Sequence, residues 1–382
     1  MSDNGFGELT VQADIRFADL IHEKEKDESL ASPQTYTMRR FLPGDEIGVV
    51  RCVFHAYGYT YPSPHLYSPE RIVELNNLGA LISVVAIADL TGEVVGHCAV
   101  ERYSPGTTAG AGQAVVAPAH RGRALMFRMI QVLEQEAGLA GIRRLVGHEV
   151  TSHPASQIMS NRSGYRVCGL ALGAMPATLD FKNMTGGLPQ RESCMVTMRF
   201  LAPPEPAVVC APLHHRAMLE RIYASIERPI SFQSLPSPEG PGEIVIRANR
   251  DWGICDISVR RIGEDTSLEI RRCLRDLCDT GGPAVIYLEL PLDQGGIDDI
   301  CRSAEGAGFF FVGLGPGSVN EGESLYLQYL NTELEMSRLQ IATPTGKEIC
   351  EYVAGERRRV AAGGAGDNPA TPFTCVKGDV GS

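Results

Sequence analysis

The chain has 382 residues, of which 43% are hydrophobic and 21% are charged, and its formal net charge is −11. This length and composition predict a globular protein with two domains, each large enough to bury its own core. The acidic balance, without a long basic block, argues against a general nucleic-acid or anionic-membrane binder. Because the sequence has no run of about 18 apolar residues and no signal-peptide layout, we expect a cytoplasmic protein without a membrane partner.

The 11 cysteines are scattered along the chain, and none of them forms a C-x-x-C pair. This spacing predicts reduced thiols, mostly buried as small apolar residues, and no metal site. The adjacent His214 and His215 would diverge on a helix, and no carboxylate or cysteine stands at ligand spacing from them. We therefore interpret this pair as a structural helix start.

The N-terminal part begins with polar, weakly periodic residues at 1–34, which predict an extension. Segment 36–58 is typical of a strand, a Pro-Gly-Asp turn and a helix, for which Asp45 is a candidate cap. Two β runs within 81–105, joined at Thr91-Gly92, predict a hairpin.

The stretch VVAPAHRGRAL at 115–125 joins a strand to a helix through a proline and a basic turn that contains glycine. A helix start presents unpaired backbone N–H groups and the positive end of the helix dipole, so it attracts anions. The helix is predicted from apolar residues at helical spacing, which are Leu125, Met129, Val132, Leu133 and Ala137. The first hypothesis is therefore a phosphate-binding loop.

The pattern after this helix predicts a strand at 143–151, a short helix at 154–164 and two further strands at 165–173 and 192–202. The sequence PPEP at 203–206 is consistent with a domain boundary. These elements complete the first half of the chain.

The second half repeats features of the first. A Gly-aromatic pair, followed five residues after the glycine by Gly-Leu, occurs at 164–170 and again at 308–314. The helix, strand and helix that precede the second copy of this motif recur as well. We therefore predict an internal duplication.

The order of strand, V-x-P-x-x-R-G turn, helix, strand, short helix, Gly-Tyr and strand resembles the GNAT superfamily of acyl-CoA-dependent N-acyltransferases. The resemblance covers roughly residues 36–201, and more faintly 243–361. It implies an α/β fold (α+β, with a mixed sheet), in which two GNAT-like domains lie in tandem and each has a central, mostly antiparallel mixed sheet flanked by helices. The expected parts are an extension at 1–34, a domain with the acyl-CoA loop at 35–202, a degenerate copy at 203–361 and a disordered tail at 362–382.

The resemblance implies acetyl-CoA or another acyl-CoA as co-substrate, with its pyrophosphate on the loop amides and its pantetheine paired to the preceding strand. The implied cofactor-binding residues are Val115, Val116, Arg121, Gly122, Arg123, Ala124 and Leu125. The sequence departs from the family pattern at Ala124, where a glycine is usual, and at Met126, which replaces a second small residue. We expect Arg121 and Arg123 to compensate as charge partners of the phosphates.

Acyl transfer to an amine requires a proton acceptor, a stabilised oxyanion and protonation of the leaving thiolate. In many family members a tyrosine that follows an asparagine along the short helix is the acid. His153 and Ser160 occupy these two positions here, so the usual acid is absent. The candidate catalytic residues are Glu149, His153, Glu101 and Ser160. The alternative for each is a solvated or hydrogen-bonded structural residue.

The Tyr/His-rich segment 54–67 falls where the family places its acceptor-binding helix and loop. Its candidate substrate-binding residues are Tyr57, Tyr59, Tyr61 and His65. Packing beneath a loop explains these rings nearly as well. In the second half, the acidic sequence IGEDT at 262–266 stands where the phosphate loop should be, and its carboxylates would repel a pyrophosphate.

The leading hypothesis is an enzyme that transfers an acyl group from a phosphopantetheine thioester to a small-molecule amine in a ternary complex. A carrier-protein thioester is an alternative donor, and aminoacyl-tRNA is disfavoured by the acidic balance. A non-catalytic acyl-CoA sensor or scaffold is the alternative from another class, because it needs no acid. The sequence does not name the acceptor amine, the acyl chain or the oligomeric state.

Overall fold

The computed structural model describes residues 34–61, 63–102, 106–178, 188–279, 281–315 and 323–363. The predicted extension lies outside these residues except for Gln34, and the predicted tail except for its first two residues. The chain divides into two compact units. Unit 1 holds the residues up to Val100 and Gln113–Glu136, and unit 2 holds Glu101–Gly112 and the residues from Ala137 onward. The predicted boundaries at 35, 203 and 361 stay predictions.

Unit 1 is built on strands in the order β1-β2-β3-β4, with β1 antiparallel to β2. Its elements, of which the last three continue into unit 2, are β1 (Tyr36–Arg40), α1 (Glu46–Tyr57), α2 (Pro69–Asn77), β2 (Leu81–Ala88), β3 (Glu93–Arg102), β4 (Thr108–Val116) and α3 (Leu125–Leu139). Helix α1 presents Val49, Val50 and Val53 at helical spacing to a core that also contains Leu66 and Ile72. Burial of this apolar face stabilises the helix.

Asp45 precedes α1, but its side chain does not cap the helix. Its carboxylate accepts hydrogen bonds from Arg39, at 2.6 and 2.8 Å, and from the amide of Leu42, at 2.8 Å. Asp45 therefore occupies the predicted N-cap position, but its side chain makes no capping bond, because the charged Arg39 on β1 holds the carboxylate away from the helix amides.

Unit 2 contains a larger mixed sheet, in the order β4-β5-β7-β6-β13-β14-β12-β11-β10. Its elements after α3 are β5 (Arg144–Val150), α4 (Ala155–Arg162), β6 (Arg166–Met175), β7 (Glu192–Phe200), β8 (Ala207–Val209), α5 (Arg216–Ser225), β9 (Ile230–Phe232), β10 (Glu243–Asn249), β11 (Ile254–Arg261), α6 (Thr266–Asp279), β12 (Val285–Pro291), α7 (Ile297–Gly306), β13 (Phe310–Gly315), β14 (Ser324–Leu330) and α8 (Pro344–Gly363). The predicted α/β class, with a mixed sheet flanked by helices, is confirmed. No helix in the described ranges is long and apolar enough to cross a membrane.

In unit 2, the order of parallel and antiparallel strand pairs is the same when the sheet is followed from either end. A parallel pair, β4 with β5, is followed by the antiparallel partners β7 and β6, and from the other side the parallel pair β11 with β12 is followed by β14 and β13. A register shift occurs next to Gly169 in β6 and next to Gly313 in β13. This correspondence supports the predicted duplication, which itself stays a prediction.

Strands β6 and β13 meet at Gly169 and Gly313, the two glycines of the repeated Gly-Leu motif. A Cβ on Gly169 would lie 2.8 Å from the carbonyl oxygen of Val312, and a Cβ on Gly313 would overlap the Cα of Gly169. Gly313 also has φ +132°, a conformation that residues with a side chain rarely adopt. Glycine is therefore required on both strands for this approach.

Replacing Gly313 by alanine should lower the free energy of unfolding by about 2 kcal/mol or more, because the new Cβ overlaps β6 and the backbone becomes strained. Urea denaturation measures this loss. The matched control is Gly306→Ala in α7, where an added Cβ meets no atom within 4 Å, and its expected change is under about 1 kcal/mol. Equal losses in the two variants would contradict the steric argument.

Candidate functional site

The loop between β4 and α3 in unit 1 has the backbone form of an anion-binding turn. After a short 3-10 turn at Pro118–His120, residues 121–124 are exposed and Leu125 is buried at the helix start. Gly122 and Ala124 both have positive φ, at 77° and 55°. No described residue accepts a hydrogen bond from the amides of residues 122–127. Successive free amides at a helix start can bind a phosphate group.

Basic side chains surround this loop. The Nε of Arg121 donates to the carbonyl oxygen of Val116 at 3.2 Å, so it lies beside the end of β4. The guanidinium of Arg123 lies 5.9 Å from the ring centroid of Tyr36, and Arg128 donates to the carbonyl oxygen of Tyr36 at 2.9 Å. The positive charge of three arginines is thus added to the positive end of the helix dipole at the start of α3.

Ala124 occupies the position where the sequence pattern usually has glycine. Its φ of 55° shows why glycine suits this position, since the left-handed region costs a residue with a Cβ about 1–2 kcal/mol. The loop therefore keeps the expected backbone path at the cost of local strain. Met126, the other departure, is half-buried.

The candidate substrate-binding tyrosines form a single aromatic cluster in unit 1. The ring centroids of Tyr57 and Tyr61 are 4.7 Å apart, and those of Tyr59 and Tyr67 are 5.7 Å apart. Burial raises the pKa of Tyr57 to about 12, whereas Tyr59 is 56% exposed. Mutual packing explains much of this arrangement, and the exposed ring of Tyr59 leaves an aromatic surface for a ligand.

His65, the fourth candidate, belongs to a series of polar contacts that the sequence did not predict. Its Nε2 lies 3.0 Å from Nε2 of Gln113, and the carbonyl oxygen of Gln113 lies 3.0 Å from Nδ1 of His97. Gln113 is a further residue with positive φ, at 51°, in the middle of β4. Burial lowers the pKa of His97 to about 4, so this imidazole is neutral at physiological pH.

Glu149 of unit 2 is a buried carboxyl at the end of β5. Its Oε1 accepts hydrogen bonds from Ser160 on α4, at 2.6 Å, and from Thr197 on β7, at 3.0 Å. Its Oε2 is buried and has no hydrogen-bond partner among the described residues. Burial raises the pKa of Glu149 to about 7, against the opposing effect of the two hydroxyls. This carboxyl can therefore exchange a proton near neutral pH.

Gly147 makes room for this carboxyl. A Cβ at that position would lie 2.5 Å from Oε1 of Glu149 and 2.6 Å from Oγ1 of Thr197. The parallel ladder between β4 and β5 also ends at this glycine, paired with Ala111, whereas β5 continues to Val150.

The structure brings only some of the candidate catalytic residues together. Ser160 contacts Glu149, as described, and donates rather than accepts in that bond. His153 is half-buried, and burial lowers its pKa despite the opposing charge of Glu192. Glu101 is exposed near the end of β3.

The corresponding turn in the second half differs from the loop of unit 1. The amide of Gly263 donates to the hydroxyl of Thr266 at 2.8 Å, and the amide of Glu264 donates to the carbonyl oxygen of Gly240 at 2.9 Å. The carboxylate of Asp265 accepts from the amide of Gly242 at 2.6 Å. These groups are therefore already hydrogen-bonded within the chain.

His214 and His215 form hydrogen bonds with carboxylates that lie far away in the sequence, so spacing could not predict these partners. The fully buried His215 places Nε2 2.8 Å from Glu305 and Nδ1 2.9 Å from the hydroxyl of Tyr352, and His214 lies 2.9 Å from Glu356. The partners come from α7 and α8, which tertiary folding brings to the start of α5. Arg359 donates to both carboxylates at 2.6 Å, so this group forms one hydrogen-bonded network.

Residues 52–165 match the family model described as the acetyltransferase (GNAT) family. The match confirms the resemblance found in the sequence for residues 52–165, as a GNAT-family acetyltransferase domain, and the degenerate second copy stays a prediction. A comparison with curated proteins finds no match.

Solved structures of N-acetyltransferases are similar to this chain over less than half its length. They include an N-acetyltransferase from Staphylococcus aureus (17% identity, 44% of this chain and 99% of that chain, TM-score 0.35), the ribosomal-protein-S18-alanine N-acetyltransferase from Escherichia coli (13%, 44% and 95%, 0.35) and the PaiA N-acetyltransferase from Thermoplasma acidophilum in complex with coenzyme A (10%, 44% and 99%, 0.32). Similarity at this level carries no conclusion about substrate.

Replacing Glu149 by glutamine should change how stability depends on pH. Between pH 4.5 and about 7 the folded protein keeps a proton on Glu149 that the unfolded chain releases, so stability falls as pH rises through this range. A shift of this size corresponds to about 3 kcal/mol. Above about pH 7, Glu149→Gln should therefore be more stable than the wild type, by chemical denaturation at a series of pH values.

The matched control for this prediction is Glu351→Gln, which removes an exposed carboxyl from α8. Its stability curve should run parallel to that of the wild type. If the curve of Glu149→Gln is also parallel, the carboxyl does not retain its proton in the folded state.

Proposed function

We propose that this chain is an acyl-CoA-dependent N-acyltransferase that transfers an acetyl or other acyl group directly to the amine of a small molecule, and that it acts in the cytoplasm. The observation that carries the proposal is the loop at the start of α3, where six successive amides have no described acceptor and three arginines lie nearby. The GNAT family match at 52–165 includes this loop.

The donor would bind in unit 1 through two kinds of contact. The amides of Gly122, Arg123 and Ala124 would donate to the pyrophosphate, with Arg121 and Arg123 as charge partners. The backbone of β4 around Val115 and Val116 would hydrogen-bond the pantetheine amides in the manner of an added strand. Arg121, which bonds the carbonyl oxygen of Val116, would link the two contacts.

The transfer step requires a group that accepts a proton. The neutral amine nitrogen attacks the thioester carbonyl carbon, a C–N bond forms, the C–S bond breaks, and the coenzyme leaves as a thiolate that takes up a proton. Glu149 would accept the proton that the nitrogen loses, directly or through water. Its raised pKa of about 7 supports this role, because a base of that strength is available near neutral pH. The hydroxyls of Ser160 and Thr197 would hold the ionised carboxylate in place.

The acceptor is proposed to be a small amine that contacts the aromatic cluster. Tyr59 offers an exposed ring that contacts Tyr67, and the rings of Tyr57 and Tyr61 pack against each other. Aromatic faces attract ammonium groups and pack against apolar carbon chains, so the surface suits an amine with an apolar or aromatic body.

Acetyl-CoA should raise the thermal midpoint of the wild-type protein and leave that of Arg121→Glu unchanged. A ligand at about 100 times its dissociation constant adds about 2.7 kcal/mol of stability, and the reversed charge would repel the phosphates. The control is Arg275→Glu, an equal charge change at an exposed position on α6, which should respond as the wild type does. Equal shifts in all three proteins would exclude the loop as the donor site, and no shift in any would exclude free acyl-CoA as the donor.

Turnover then separates an enzyme from a sensor. The wild type, incubated with acetyl-CoA and a panel of amines, should release free thiol, and Glu149→Gln should bind acetyl-CoA normally but release thiol at least about a hundredfold more slowly. Binding without thiol release from any amine would favour the acyl-CoA sensor. Thiol release at the wild-type rate by the variant would remove Glu149 from the mechanism.

Replacing Ala124 by glycine should tighten donor binding and stabilise the loop. The φ of 55° at this position strains alanine but not glycine, so the gain is about 1 kcal/mol of strain, offset in part by the greater freedom of glycine in the unfolded chain. Isothermal titration with acetyl-CoA measures the affinity, and Ala140→Gly, outside the loop, is the control. Weaker binding by Ala124→Gly than by the wild type would show that the loop is held in another conformation when the donor is bound.

A further inference from the structure

The helices of unit 2 bring three side chains of metal-ligand type together. His215, at the start of α5, is fully buried, and Cys301 and Glu305 lie one turn apart on the same face of α7. A ring nitrogen of His215, the Sγ of Cys301 and a carboxylate oxygen of Glu305 all lie within 4.8 Å of one another. His215 is far from the other two in the sequence, so spacing predicted no metal site.

The size and chemistry of this cluster suit a zinc ion. Zn²⁺ forms bonds of about 2.0–2.3 Å to nitrogen, sulfur and oxygen, which places tetrahedral ligands about 3.3–3.8 Å apart. The Nε2 of His215 and the Oε1 of Glu305 are 2.8 Å apart, so this pair would open by less than about 1 Å to admit the ion. Imidazole, thiolate and carboxylate together are typical of zinc sites, whereas Mg²⁺ and Ca²⁺ take oxygen ligands.

Tyr352 of α8 holds the imidazole of His215 in position. Its hydroxyl lies 2.9 Å from Nδ1 of His215, and the ring of Phe311 packs against the imidazole with the centroids 4.8 Å apart. A hydroxyl can donate or accept, so it can take the bond from Nδ1–H when Nε2 binds a metal. Histidines that ligate zinc usually make such a bond through the second ring nitrogen.

Arg359 is the cation that contacts Glu305, and a metal ion would replace it there. Its guanidinium donates to Glu305 at 2.6 Å and to Glu356 at 2.6 and 2.9 Å, and 41% of its side chain is exposed. Because Arg359 keeps two bonds to Glu356, it can leave Glu305 without losing its own partner. The charges of Zn²⁺, one thiolate and one carboxylate then cancel, and so do those of Arg359 and Glu356.

We propose that Nε2 of His215, the Sγ of Cys301 and the carboxylate of Glu305 bind a zinc ion that joins the start of α5 to α7. The thiol proton passes to solvent when the thiolate binds the metal. Water or His214, which forms an overlapping group with His215 and Glu356, would complete the coordination. None of the ligands belongs to the donor loop or to the hydrogen bonds of the proposed catalytic carboxyl, so the proposal goes beyond acyl transfer and does not depend on it.

The test is a titration of the metal-free full chain with Zn²⁺ and, as a spectroscopic probe, with Co²⁺. One Co²⁺ per chain should bind and give a thiolate-to-cobalt charge-transfer band, because a cysteine ligates it. Cys301→Ala should lose this band and bind Zn²⁺ at least about a hundredfold more weakly, since one of three protein ligands is removed. Zn²⁺ should raise the thermal midpoint of the wild type but not that of the variant.

The matched control is Cys255→Ala, which removes another fully buried thiol and should bind Zn²⁺ as the wild type does. Glu305→Gln changes a ligand whose side chain is 10% exposed, and it keeps the test decisive if Cys301→Ala folds poorly. This variant should weaken binding at least about tenfold. Arg359→Gln should tighten binding about threefold or more, because it removes the cation that competes for Glu305.

Four results would each overturn the proposal. They are a wild type that binds no Zn²⁺, an unchanged affinity in both Cys301→Ala and Glu305→Gln, a matching loss in Cys255→Ala, and a Co²⁺ complex without the thiolate band. Weaker binding by Arg359→Gln than by the wild type would contradict the replacement of Arg359 by the ion, on which the charge balance depends.

Discussion

The close contact of β6 and β13 is the constraint on which the large sheet of unit 2 depends. Gly169 and Gly313 lack the side chains that would hold the two strands apart. The contact is strengthened by Gln328 of β14, which bonds both the amide and the carbonyl oxygen of Leu172 in β6 at 3.1 and 2.5 Å. Helix α8 packs on both strands. A glycine pair and one buried amide thus let strands from distant parts of the sequence share one core.

Glycine also makes room for the candidate catalytic carboxyl. Gly147 leaves the space that Glu149 and Thr197 occupy, and Ser160 completes the contact from α4. The resulting environment raises the pKa of Glu149 because burial outweighs two neutral hydrogen bonds. A carboxyl whose ionisation costs free energy in the folded state is a stronger base than one in water, so stability and reactivity are linked at this residue.

Sequence reasoning predicted the parts of the molecule that short-range patterns determine. The strand, turn and helix at 115–125, the repeated Gly-Leu motif and the family resemblance all rest on local spacing, and the mixed α/β fold and the GNAT domain are confirmed. Features that depend on tertiary contacts could not be predicted from the sequence. Arg39 diverts Asp45 from its predicted cap, and α7 and α8 bring carboxylates to His214 and His215. Neither the residue types nor their spacing in the sequence predicts such partners.

The turns that follow β4 and β11, each at the start of a helix, differ in which groups accept hydrogen bonds from their amides. In the second half, Thr266 and Gly240 accept hydrogen bonds from the amides of Gly263 and Glu264 in the turn, and the carboxylate of Asp265 accepts from the amide of Gly242, which precedes β10. The turn before α3 has no such internal acceptors in the described chain, so its hydrogen bonding must come from outside: water or a bound anion. The amides of Gly263 and Glu264 thus have their acceptors within the chain, and the stability of this turn should be indifferent to phosphate. In the turn before α3, amides without an acceptor raise the free energy of the folded chain. An anion that bonds these amides removes this cost, so the cost contributes to the free energy of anion binding.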